Sequence, residues 1–141
     1  ARLHTATHLL GEAIRRVLKN KDIRQKGSNI TPERLRYDFN FDRKLTSEEL
    51  KSIEHEVNKA IKESVSIQKE ELDLDKALNS GAQAEFGAKY PPKVSVYTMG
   101  AFSKEICTGP HASNTKDLGH FKIIKEEAVA AGIRRIKAVL E

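Results

Sequence analysis

Apolar residues recur at helical spacing over residues 2–19, where Leu3, Ala6, Leu10, Ala13, Ile14 and Val17 share a stripe. That predicts an amphipathic helix. Residues 20–29 are polar and include Gly27, which predicts a loop or the start of a hairpin. Leu35, Tyr37, Phe39 and Phe41 then alternate with Arg36, Asp38 and Asn40, the pattern of a half-buried strand. Thr46 and Glu49 are spaced as a capping box and open a second helix with Leu50, Ile53, Val57, Ile61 and Val65 on one side. Residues 65–72 predict a strand and 73–80 a short helix. After Pro91-Pro92, Val94, Val96 and Thr98 predict a third strand, with Ser103–Cys107 pairing beside it across Gly100. Phe121 and Ile123 belong to a later strand, and 133–139 to a final one. Helices and strands mix without regular βαβ alternation. The expectation is an α+β fold, a mainly antiparallel sheet packed against a few helices, forming a single two-layer domain over residues 1–141.

A chain of 141 residues is long enough for a substantial core. Hydrophobic residues make up 38% and charged residues 32%, an ordinary water-soluble balance. No apolar run approaches the ~18–20 residues of a membrane span, and no signal peptide is visible. The expected location is cytoplasmic. Because the chain starts at Ala1 rather than Met, it is expected to be part of a longer protein. Lys and Arg total 25 against 20 Asp and Glu, a net +5 that suits a phosphate-bearing partner. The single cysteine, Cys107, excludes an internal disulfide and leaves it as filler, nucleophile or metal ligand.

The chemistry concentrates in two pairs. His4 and His8 are four residues apart on the first helix, so their side chains are neighbours about 5–6 Å apart, off the apolar stripe. Gly11 lies one turn further along that side and leaves space above them. Cys107 and His111 are also four apart, but Pro110 bars a helix there, so this pair is expected on a Gly109-Pro110 turn leaving a strand. Either pair alone is commonplace. Together they make a Cys/His₃ set suited to zinc, with His4, His8, Cys107 and His111 as candidate ligands. Thr5, Thr7, Gln25, Ser28 and Thr115 are candidate hydrogen-bonding groups around such an ion, with caps and turns as their ordinary alternative. His55 faces away from its helix's apolar stripe and His120 sits at a strand end; both are expected to be plain surface residues.

The segments RLHTATHLL (2–10), QKGS (25–28), PERLRYDF (32–39), LTSEEL (45–50), GAQAEFGAKY (81–90), FSKEIC (102–107) and LGHFKIIKEEAVAAGIRRIKAV (118–139) resemble the editing domain of alanyl-tRNA synthetase and the related free-standing editing proteins. The resemblance implies that His4, His8, Cys107 and His111 are zinc ligands. It also implies that Thr7 and Gln25 belong to the substrate pocket, and that the reaction is hydrolysis of seryl- or glycyl-tRNA bearing alanine identity. Two places depart from the family wording. Cys107-Thr108-Gly109-Pro110-His111 stands where the family has C-G-G-T-H, and Ala88 stands where it has an acidic residue. The Gly-Pro-His wording is similar to the editing domain of threonyl-tRNA synthetase, whereas the AGIRRI tail fits the alanyl branch.

On this reading Thr7 and Gln25 act at the reacting centre, and Thr5, Ser28 and Thr115 contact the substrate. Arg24, Lys26, Lys104 and Lys116, with Lys122 nearby, would grip tRNA phosphates. The expected partners are the aminoacylated end of a tRNA and, for a fragment, the remaining domains of a synthetase. Two alternatives stay open: threonyl-type editing, and a structural zinc module that binds RNA without catalysis.

Overall fold

A computed structural model describes residues 2–84, 89–107 and 111–141. The described elements are α1 (Arg2–Leu18), β1 (Gln25–Ile30), β2 (Leu35–Asn40), α2 (Ser47–Lys62), β3 (Ile67–Asp73), α3 (Leu74–Asn79), β4 (Lys93–Met99), β5 (Ser103–Ile106), a 3₁₀ turn (Thr115–Leu118), β6 (Phe121–Ala130) and β7 (Ile133–Leu140). The fold is α+β and its strands pair antiparallel, as the hydrophobic pattern predicts. They fall into two sheets, of order β1-β2-β7-β6 and β3-β4-β5.

Each sheet has its own core. Leu35, Tyr37 and Phe39 project from one side of β2, Ile136 and Ala138 from β7, and Phe121 from β6. They pack against Leu9, Leu10, Ala13 and Ile14 of α1 and Ile53, Val57 and Ile61 of α2. Tyr37 pairs with Ile136, and Leu35 with Ala138, so the period-2 pattern of each strand supplies the same buried side. On the opposite side Asp38 accepts a two-pronged grip from Arg135, at 2.8 and 3.0 Å. The three-stranded sheet carries a smaller cluster of Ala77, Ala82, Val94, Val96 and Ile106.

The capping box forms as predicted: the Glu49 N–H donates to Thr46 Oγ1 at 3.1 Å, and the Thr46 N–H to Glu49 Oε1 at 2.8 Å. Of the two readings of residues 20–29, loop or start of a hairpin, the second is the one observed: residues 25–30 form edge strand β1, paired antiparallel with β2. Its polar residues give no alternation because its outer half is solvent-exposed, and backbone pairing with β2 holds it in place.

Candidate metal centre and cavity

His4, His8, Gly11 and Arg15 recur at i, i+4, i+7 and i+11, a single stripe of α1. That stripe faces the end of β5. Cys107 follows β5, and its N–H extends the ladder by donating to Ser95 O at 3.1 Å. Beyond residues 108–110, His111 returns against α1, where the Ala112 N–H donates to Thr5 Oγ1 at 3.0 Å. The expected Gly109-Pro110 turn, like Ala88, lies outside the described residues.

The potential ligand atoms of His4, His8, Cys107 and His111 all lie within 4.8 Å of one another. Cys107 Sγ is 2.9 Å from His4 Nε2. The His4 and His111 rings stack with centroids 4.3 Å apart, and Tyr97 lies against His111 at 4.2 Å. Burial opposes the charged form of Cys107, but the three imidazoles outweigh it and pull the thiol down to about 4. Burial likewise opposes protonation of His8, but the Cys107 thiolate and the Glu105 carboxylate push it up to about 9. Burial lowers His111. His8 Nε2 and His111 Nε2 are buried with no hydrogen-bond partner. Two orphaned imidazole nitrogens converging on a thiolate fit a tetrahedral zinc ion, so the group can hold a metal.

The cluster opens onto a cavity of about 260 Å³. Thr7, Gln25, Ser28 and Arg24 line it together with His4, His8 and Cys107. Thr7 is 2% exposed and donates its hydroxyl proton to Leu3 O at 2.9 Å, which leaves its lone pairs as acceptors. Gln25 donates to Ser28 Oγ at 2.9 Å, and the Arg24 guanidinium donates to the Lys21 and Ile23 carbonyls.

Other residues of the predicted site lie elsewhere. Thr5 is fully buried behind His111, its hydroxyl 3.0 Å from Nδ1. Thr115 closes the C-terminal end of α2, receiving the Val65 N–H and donating to Ala60 O, both at 2.9 Å. Lys104 borders a separate depression beside Glu12 and Ser103. Lys26 is half-buried on β1, and Lys116 and Lys122 are exposed on the 3₁₀ turn and β6. His55 and His120 are exposed, as expected. The space provided by Gly11 is filled by Tyr37, since a Cβ there would sit 2.7 Å from the phenol oxygen. Sequence reasoning missed Glu105, Arg15 and Tyr37, which also line the cavity. A usable signal existed, because Ser103, Glu105 and Cys107 alternate along one strand and Arg15 continues the histidine stripe.

The α+β fold thus places a Cys/His₃ cluster beside a polar cavity. Residues 94–137 match the family described as the threonyl and alanyl tRNA synthetase second additional domain. Over almost its whole length the chain is also similar to one stretch of alanine–tRNA ligases. It is 53% identical to that of Borrelia hermsii over 139 residues, 99% of this chain, and 50% identical to that of Treponema pallidum over 138 residues, 98% of this chain. It is 48% identical to that of Chlorobaculum tepidum over 139 residues, 98% of this chain. Over nearly its whole length the chain is thus similar to one region of alanine–tRNA ligases, a likeness consistent with an editing-type domain of alanyl-tRNA synthetase. It spans 23% of the Borrelia and Treponema relatives and 16% of the Chlorobaculum one. No helix among the described residues is long and apolar enough to cross a membrane.

Proposed function

We propose that this chain is a zinc-dependent deacylase that hydrolyses the ester of Ser-tRNA, and of Gly-tRNA, carrying alanine identity. It would act as the editing part of a longer, cytoplasmic synthetase. The observation that carries this reading is the convergence of His4, His8, Cys107 and His111, the first three of which line a cavity that also presents Thr7 and Gln25. A pocket selecting alanine rejects one added hydroxyl poorly, so a second site that reads the hydroxyl is needed.

A zinc held by the four side chains would supply a positive centre that polarises the ester or lowers the pKa of a water. Thr7, its proton committed to Leu3 O, is suited to accept a hydrogen bond from the serine hydroxyl. Gln25 lines the cavity, and its carboxamide oxygen remains an acceptor while its amide group donates to Ser28. Arg24, with Lys26, Lys104 and Lys116 further out, is proposed to meet acceptor-end phosphates. Thr5 and Thr115 are proposed to act through the fold, Thr5 behind His111 and Thr115 under α2.

The deciding assay offers Ser-tRNA of alanine and of threonine identity to the intact chain, with and without a zinc chelator. Chelator-sensitive release of serine, faster on the alanine tRNA, is expected. Zinc binding without any deacylation would instead support the structural module. Replacing Thr7 by Phe should abolish serine removal, and unchanged turnover would sink its role.

A further inference from the structure

Glu105 is a carboxylate only 6% exposed, two residues before Cys107 on β5. A buried charge is costly unless partners surround it. Its Oε1 lies 3.0 Å from His8 Nδ1, and its Oε2 lies 3.9 Å from the Arg15 guanidinium. Arg15 is itself buried, held by Glu12 at 3.2 and 3.1 Å and directed toward Ile23 O at 3.5 Å. A chain of contacts thus runs Glu12, Arg15, Glu105, His8, joining a helix of the larger core to the last strand of the smaller sheet.

A metal takes an imidazole in its neutral form, displacing a proton, and a neutral imidazole has one N–H and one lone pair. A carboxylate at Nδ1 takes the N–H on that side and turns the lone pair of Nε2 outward. His8 Nε2 is the buried nitrogen that no hydrogen bond satisfies, and it faces the cluster formed with His4, Cys107 and His111. We infer that Glu105, with the Arg15 charge 3.9 Å from its other oxygen, is a positioning residue that commits His8 to bind the metal through Nε2. This rests on the zinc reading above. His111 has a weaker counterpart, because the group at its Nδ1 is the neutral hydroxyl of Thr5. Glu105 therefore contributes more to metal retention than Thr5 does.

The test measures zinc affinity of the whole chain by competition with a chromogenic chelator, for wild type, Glu105→Ala, Glu105→Gln and Thr5→Val. The melting temperature of each metal-free protein is recorded alongside. Glu105→Ala should lose about 10–100-fold in affinity. Glu105→Gln, which keeps an acceptor oxygen, should recover part of that loss, and Thr5→Val should lose less. Should Glu105→Ala fail to fold, Glu105→Gln carries the test with an expected loss of several-fold. Tight zinc binding by wild type with less than about threefold change in both Glu105 variants would overturn the inference and leave the zinc reading standing. A metal-free melting temperature that falls with the affinity would show a merely structural role and overturn it too. Failure of the wild type to take up zinc would overturn the underlying reading instead.

Discussion

The two halves of the candidate metal cluster rest on unequal supports. His4 and His8 ride on α1, whose other side is locked into the larger core by Leu9, Leu10, Ala13 and Ile14, all fully buried. Cys107 follows a four-residue strand of a sheet whose smaller core, among the described residues, is built on Ala77, Ala82, Val94, Val96 and Ile106. Local helical spacing sets the distance between the histidines. The position of the thiolate depends on two sheets meeting correctly. The difference teaches that the histidine half is preorganised by a helix, whereas the cysteine half is placed by backbone pairing to β4 and by Glu105 and His8 meeting across the seam.

The sharpest break is removal of the thiolate. Cys107→Ala should weaken zinc binding and slow deacylation by at least about 100-fold, since even indirect partners of ligands are worth 10–100-fold. Chelator competition and a deacylation time course would read this, and a variant that kept both would exclude Cys107 from the metal set. In metal-free wild type the same thiol, pulled down to about 4, is a thiolate above that pH and a thiol below it. Its alkylation by iodoacetamide should persist as pH falls and fade only near pH 4. Labelling that fades near pH 8 would show that the imidazoles do not hold the thiolate.

The two supports separate by core truncation. Phe39→Ala, in the larger core, should cost about 3–5 kcal/mol in denaturant unfolding. Val94→Ala, in the smaller one, should cost about 1–2 kcal/mol at roughly 0.8 per methylene, yet release zinc to a chelator more readily. If Phe39→Ala loosened the metal more, the two cores would be acting as one support. The smallest effect is expected far from the seam. Thr46→Ala removes the cap of α2 and should cost about 1 kcal/mol while leaving zinc affinity unchanged.

Legibility in the sequence followed the range of the forces involved. Periodicity exposed α1, α2, β2 and the later strands because each buries one side on a large core, and Thr46 and Glu49 marked the start of α2 by a contact three residues long. β1 was legible only as a loop or the start of a hairpin, because it is a polar edge strand held by backbone pairing to β2. Thr5 and Thr115 carried the right chemistry for a pocket, yet their hydroxyls are engaged by groups 106 and 50 residues away in the chain.

By itself the sequence determined the fold class, the pairing of His4 with His8 on one side of a helix, and a donor set that fits zinc, because these follow from residue type and spacing. Tertiary structure alone decided that the strands divide into two sheets and that Cys107 and His111 reach the histidines across them. It also decided that Tyr37 fills the gap at Gly11 and that Glu105 faces His8 from 97 residues away. Those contacts depend on how separate elements pack, and no short-range pattern in the chain encodes that.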